Sequence, residues 1–301
     1  MTALSPATAR LSGSMRGILW MLFAAFFMCS SDPMTKYLVH NYPVPFVMWG
    51  RYLFFVLAVL VVLHRRFLPL AATQRPILQT ARSFLHVVFI AFFNLGLYFL
   101  PIADANAILF ATPLIVTALS VPFLGERVGF HRWSAIAVGF AGALLIIRPG
   151  AETMRLAALL PLAAAFTTAV YQIATKRLSR TDSALTTLIY TAVVGFIVMC
   201  FVVPFYWKSP DAVGWGLLAA TGAIGAVGQF GMIKAYEAAR ASTVAPYFYT
   251  LLVWAIIYGY LFFGDLPDGW TVTGALTIVA SGLYIVRRER LHEAKASLVR
   301  P

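Results

Sequence analysis

The sequence predicts an all-α polytopic membrane protein, with ten transmembrane helices arranged as two inverted five-helix repeats. Three observations carry that expectation. Ten stretches of the 301 residues are each long and apolar enough to cross a hydrocarbon core of roughly 30 Å at about 1.5 Å per residue. The composition, 61% hydrophobic and 11% charged with a mean hydropathy of +0.83, lies outside that of a soluble domain. The basic residues, finally, fall almost wholly in every second gap between the apolar stretches.

The spans are read at 17–39, 46–63, 83–100, 105–123, 131–147, 156–176, 185–207, 214–236, 242–263 and 270–286. Residues 1–16 form an N-terminal tail, 149–155 a linker between the two halves and 288–301 a basic C-terminal tail. The first span is too long for a signal-peptide core and shows no small-residue cleavage site before Asp32, so it is expected to stay in the mature chain. Bulky residues precede Cys29, which argues against lipidation, and with Cys200 as the only other thiol no disulfide framework or metal cluster is expected.

Charges inside spans are costly and are functional candidates by default. In the first span Asp32, Lys36 and His40 recur at i, i+4 and i+8 and share one helix face. Asp32 lies about 24 Å beyond Arg16 along the helix, in the outer third of the membrane. Arg51 lies about 9 Å into the second span from its outer end, at a similar depth. One reading is a cluster of Asp32, Lys36 and Arg51 that binds a zwitterionic or anionic ligand, or couples its passage to a proton on Asp32. In the other, Lys36 snorkels to the surface and Arg51 only neutralises Asp32.

In the third span His86 and Asn94 can share a broad face, His86 serving in coupling or lying at the interface below Arg82. Pro113 in the fourth frees backbone carbonyls. Gly139 and Gly142 in the fifth, like Gly274 and Gly282 in the tenth, suit close helix packing. The sixth carries Tyr171 and Gln172 with Thr168 and Thr175 on one face. The eighth carries Gln229, a glycine at every third position from Gly222 to Gly231, and Lys234 with Glu237 as a surface pair at its end. Gln172 and Gln229 can contact ligand or join helices, and the glycines can serve as a hinge or as static packing. The ninth opens on Pro246 with Tyr247 and Tyr249, rings beside a helix-disturbing proline that suit a pocket wall.

Eighteen of the 23 Lys and Arg fall on the side that carries both termini, Arg82 among them. Only Arg148, Arg155 and Lys208 fall on the other. Short basic loops stay in the cytoplasm, so both termini are expected inside. The net charge of +12 is thus a topology signal, suited to anionic lipid and no indication of nucleic-acid binding.

The halves resemble each other. Met34-Thr-Lys-Tyr-Leu38 is matched by Ala174-Thr-Lys-Arg-Leu178, 140 residues later, and Phe123-Leu-Gly-Glu126 with Trp133 by Phe262-Phe-Gly-Asp265 with Trp270. At that offset Asp32 corresponds to Gln172. Five spans is an odd number, so the second set, 156–287, enters from the side opposite to the first, 17–148. Inverted repeats of this kind recur in secondary transporters, with the site near the midplane between them.

The run Tyr98-Phe-Leu-Pro-Ile-Ala-Asp-Ala-Asn-Ala-Ile-Leu-Phe-Ala-Thr-Pro113 through Phe123-Leu-Gly-Glu126, with Gly139-Phe-Ala-Gly-Ala-Leu-Leu-Ile-Ile-Arg-Pro149, resembles EamA-type members of the drug/metabolite transporter superfamily. The second half departs from the pattern at Leu251, where Pro113 would recur, and at Asp265 in place of Glu126. The resemblance implies that the first, third, fourth, sixth, eighth and ninth spans line a central cavity, with the fifth and tenth peripheral.

The sequence shows no phosphate-binding GxxxxGK[ST] loop, so any pumping is driven by a gradient, and no HExxH or GxSxG motif. Neither catalytic residues nor a cofactor nor a metal site is expected. An intramembrane enzyme and a purely structural membrane protein are the other classes weighed. The expectation is a secondary transporter of the bacterial inner membrane that exports a small amino-acid-like or amino-carboxylate compound, metallophores included. Uptake of a cofactor-like metabolite such as riboflavin or S-adenosylmethionine is the alternative. Its partners are then a small-molecule substrate and the lipid bilayer, and self-association into a homodimer stays open.

Overall fold

The computed structural model describes residues 13–124, 130–147, 156–239 and 244–298. Among these all regular structure is helical, and ten helical stretches follow one another in the predicted order. Seven of them, from Gly13–Asn41 to Ala212–Ala238, are long and apolar enough to cross a membrane, and Trp133–Ile147 and Tyr247–Phe263 are shorter apolar helices. The tenth, Gly269–Leu298, runs well past residue 286 into basic sequence. Side chains such as Val62, Phe201 and Phe205 stand 79%, 75% and 82% exposed, which only a lipid-facing surface tolerates at this density. The predicted residues Glu126, Arg148 and Arg155, the 149–155 linker and the tail before Gly13 lie outside the described residues.

Three departures from the predicted spans matter for the site. The third helix starts at Pro76, whose fixed φ suits a first helical turn, and runs to Phe99. Arg82, expected on the rim, therefore lies inside the span. The first span is interrupted at Ser31, between Gly13–Ser30 and Asp32–Asn41, where Pro33 supplies no N–H to the ladder. The fourth is interrupted at Phe110, between Ile102–Leu109 and Ala111–Leu124.

Helix packing follows an approximate two-fold relation between the halves. The first span packs on the eighth and the sixth on the third, contacts that exchange when the halves are swapped. The second packs on the eighth and the seventh on the third, which exchange in the same way. The second and seventh pair with each other across the axis, as do the fifth and tenth. In that last pair the backbones nearly touch: a Cβ built on Gly142 would lie 2.8 Å from the Gly274 carbonyl oxygen. The face where Gly13 meets Ala238 is called the near face below, and the face where Tyr42 meets Asp211 the far face.

Candidate functional site: two guanidinium groups within the membrane

The two interrupted helices meet at Asp32. The break at Ser31 places the carboxylate at the start of a helical segment, where the N-terminal end of the helix favours negative charge. Asn106, one turn before the break in the fourth span, donates to Asp32 Oδ2 at 2.9 Å and to the Ile102 carbonyl at 3.0 Å. Cys29 is the other close polar neighbour of Asp32. Asp32 is 6% exposed and Asn106 1%.

Arg51 lies beside this pair, seven residues or about 10 Å into the second span from the far face. Its guanidinium rests against the eighth span: a Cβ on Gly225 would come within 3.0 Å of Nη2. The charges of Arg51 and Asp32 act on each other, yet they form no ion pair within 4.0 Å, and among the described residues the Arg51 guanidinium makes no hydrogen bond. Lys36 turns away from Asp32. Its ammonium bonds Asp265, just beyond the ninth span, at 2.9 Å and stands over the Phe263 ring at 4.6 Å. The imidazole of His40 stacks on Tyr98.

A second cation occupies the near half. Arg82 has no exposed surface, and each of its three side-chain nitrogens finds a neutral oxygen: Nε bonds Thr175 Oγ1 at 3.0 Å, Nη1 bonds Thr191 Oγ1 and the Thr187 carbonyl, and Nη2 bonds the Tyr171 hydroxyl at 2.6 Å. Thr175 and Thr191 pass their own protons to carbonyls four residues back, leaving lone pairs free to accept from the guanidinium. No carboxylate lies within ion-pair distance of Arg82 among the described residues. The nearest acidic group in the chain of bonds is Asp182, which accepts from Gln79 Nε2 at 2.7 Å and from the Thr73 hydroxyl.

His86 and Tyr52 stand between the two cations. The Tyr52 hydroxyl and His86 Nδ1 are 2.8 Å apart, and both groups feel the charges of Arg82 and Arg51. Tyr171 receives a second bond from Gln229 of the eighth span, so one hydroxyl ties the third, sixth and eighth spans together. Gln172 accepts from the Tyr236 hydroxyl at 2.6 Å, and Lys176 donates to the carbonyls of Tyr236 and Ala239, which closes the near face between the sixth and eighth spans.

The other predicted residues lie further off. Both polar atoms of Asn94 lack a hydrogen-bond partner although the residue has no exposed surface. Tyr249 packs on Phe110 and against Gly282 of the tenth span, its hydroxyl unpartnered, and Tyr247 is half-buried. Lys234 and Glu237 form the expected surface pair at 2.7 Å. A shallow cavity of about 400 Å³ opens on the far face beside His40, Tyr98 and Lys208, and none of the predicted site residues lines it.

Arg82, Tyr52 and Asn106 escaped the sequence reading. A signal for Arg82 was there: Gln79, Arg82, Ser83 and His86 recur at i, i+3, i+4 and i+7, a polar stripe at helical period. Placing the span boundary at residue 83 hid it.

This polar column runs between two similar halves, and the profile of the EamA-like transporter family matches the chain twice, at residues 15–148 and 155–287. The chain belongs to the EamA-like transporter family. It is 31% identical over 286 residues to the S-adenosylmethionine uptake transporter of Rickettsia conorii, covering 91% of this chain and 93% of that one. It is likewise 31% identical to the riboflavin transporter of Vibrio cholerae, covering 91% and 94%, and 24% identical to the pseudopaline exporter CntI of Pseudomonas aeruginosa, covering 91% and 97%. A solved crystal structure aligns with a TM-score of 0.66 at 16% identity over 90% of this chain and 98% of that one, a likeness of fold. As an EamA-like protein the chain is a multi-pass membrane transporter.

Proposed function

We propose that this transporter carries a small metabolite with an amino-carboxylate end on an apolar or aromatic body, by alternating access and without ATP. The two halves, 17–148 and 156–287, rock against each other about the Asp32–Arg51 region. The observation that carries the reading is Arg51: a guanidinium inside a membrane span that makes no hydrogen bond among the described residues, next to a carboxylate with an oxygen to spare. Held apart, the two charges match the two ends of a zwitterion, Arg51 facing a carboxylate and Asp32 an ammonium. Tyr52 and His86 supply rings beside them. The charge pattern supports a location in the bacterial inner membrane with both termini cytoplasmic.

S-adenosylmethionine has such an amino-carboxylate end, and the uptake transporters named for it at 31% identity support inward movement. Export, the direction expected from the sequence, is the second reading, and the pseudopaline exporter at 24% identity supports it. Proteoliposomes loaded with radiolabelled S-adenosylmethionine or riboflavin on either side test both points. Flux of the amino-carboxylate compound, lost in Arg51→Gln, is the expected result. Flux of riboflavin alone overturns the zwitterion reading.

A further inference from the structure

Arg82 takes no part in the zwitterion site just proposed, yet a fully buried cation without a counter-ion among the described residues is costly to keep in a membrane. Its position is related to that of Arg51 by the repeat. The offset of 140 residues that relates 34–38 to 174–178 carries Arg82 onto Gly222, and Arg51 onto Thr191. Both cross-pairs are formed. Arg82 of the third span bonds Thr191 of the seventh, and Gly222 of the eighth lies against Arg51 of the second, where an added Cβ would come within 2.7 Å of the Arg51 carbonyl oxygen. The same helix contact thus holds a guanidinium in each half, supplied by opposite partners. The depths also mirror each other: Arg51 lies about 10 Å from the far end of its helix, and Arg82 about 9 Å from the near end of its own.

The two differ in state. The Arg51 guanidinium makes no hydrogen bond among the described residues and the residue is partly exposed, whereas Arg82 is fully buried and held by three hydroxyls and a carbonyl. In an inverted-repeat carrier the halves exchange conformations when access changes sides. Exchange would free the Arg82 donors and engage those of Arg51. The Tyr171 hydroxyl, which bonds both Arg82 and Gln229, is one of the contacts that this exchange would open.

We propose that Arg82 is a second anion-receiving station, the near-face counterpart of Arg51, and that the two guanidiniums are uncovered in alternation to hand over the carboxylate of the cargo. This rests on the Arg51 site of the proposed function. Tyr52 and His86, bonded to each other between the two, line the transfer path. The ligand class that follows is a compound with at least one anionic group, and the position of Arg82 extends that requirement to both sides of the membrane.

The test uses thiols and needs no known cargo. In the full-length chain with Cys29→Ala and Cys200→Ala, one cysteine is placed beside each guanidinium, Thr191→Cys at Arg82 and Thr221→Cys one turn from Gly225 at Arg51. Each is reacted with an anionic (sulfonatoethyl) and a cationic (trimethylammonium-ethyl) methanethiosulfonate, applied from one face at a time. A positive cleft raises the local concentration of anions roughly tenfold or more. The expected result is that Thr191→Cys reacts only from the near face and prefers the anionic reagent by roughly tenfold relative to free cysteine. Arg82→Lys should retain that preference and Arg82→Gln abolish it. Lys36→Gln, which unties the far face, should speed Thr221→Cys and slow Thr191→Cys. Ser83→Cys, which breaks no hydrogen bond, replaces Thr191→Cys if that variant does not fold. No near-face reaction, an anion preference that survives Arg82→Gln, or rates that move together in Lys36→Gln overturns the inference. An anion preference at Thr191→Cys with none at Thr221→Cys would instead sink the Arg51 site and, with it, the pairing of stations.

Discussion

At Asp32 one carboxylate oxygen is engaged by Asn106, and in the proposed function it is the negative charge that acts on a ligand. Asparagine at this position keeps an acceptor for Asn106 and removes only the charge. Asp32→Asn is therefore expected to lower initial transport rates by roughly tenfold or more, the worth of a lost charge-assisted hydrogen bond, at unchanged folded yield. Normal transport by this variant would make Asp32 a packing residue. Tyr171 gives the opposite pattern. Tyr171→Phe leaves a donor of Arg82 and one of Gln229 unpaired in the core, so thermal unfolding in detergent should show a loss of about 1–3 kcal/mol. Asp32 and Arg51 could be read from sequence because a charge within an apolar run has few explanations. The Lys36–Asp265 pair could not, since its members are 229 residues apart and only tertiary packing joins them. Arg82 was hidden because seven residues of helix, Pro76 to Arg82, precede the predicted boundary.

Helices in this protein are positioned by where side chains are missing as much as by where they are present. Gly225 leaves room for the Arg51 guanidinium. An alanine there meets the movable end of a side chain at 3.0 Å, so Gly225→Ala should disturb transport while costing little stability. Gly142→Leu should do the reverse of that, because its Cβ meets the Gly274 backbone at 2.8 Å and neither chain can give way. A stability loss of about 1–3 kcal/mol is expected, measured by thermal unfolding. The eighth span also carries a cap outside the membrane. Asp211 accepts from the Gly214 N–H at 2.7 Å and from the Tyr42 hydroxyl at 3.0 Å, which hold its carboxyl below the ordinary carboxylate range. A group depressed in the folded state stabilises above its unfolded pKa and loses that effect as pH falls through the folded value. The melting temperature should therefore fall on acidification below about pH 4, and Asp211→Asn should remove that part of the fall. The effect is small, because the group is exposed and screened.

For the molecule as a whole, the alternation of basic loops predicts its orientation. Cysteines at positions 42, 210 and 267 should label from the periplasm, and those at 72, 180 and 292 only from the cytoplasm. The reverse pattern would sink the topology, and with it the assignment of Arg51 to the outer half. The order and number of helices were legible because lipid imposes a simple rule of length and apolarity on each span. The two interruptions were less so. Pro33 and Pro113 mark their neighbourhoods, but the breaks themselves, at Ser31 and Phe110, depend on how the first and fourth spans meet around Asp32 and Asn106.

The back-to-back seam of the fifth and tenth spans bears on how such a carrier changes its trade. Its closest approaches are made where side chains are missing, with Gly142 on Gly274 and Gly139 against Ser281, and Ile146 and Ile278 fill the space beside them, while no member of the polar column described above belongs to it. Selection on the seam therefore acts on volume, while on the proposed function selection on cargo acts on a handful of charged and hydroxyl side chains elsewhere. On the proposed function, a few substitutions around Asp32, Arg51 and Arg82 would redirect the protein to a new metabolite without reopening the question of how it folds. Relatives named for S-adenosylmethionine, riboflavin and pseudopaline, each aligned over about nine-tenths of this chain, are what such a division of labour would leave behind.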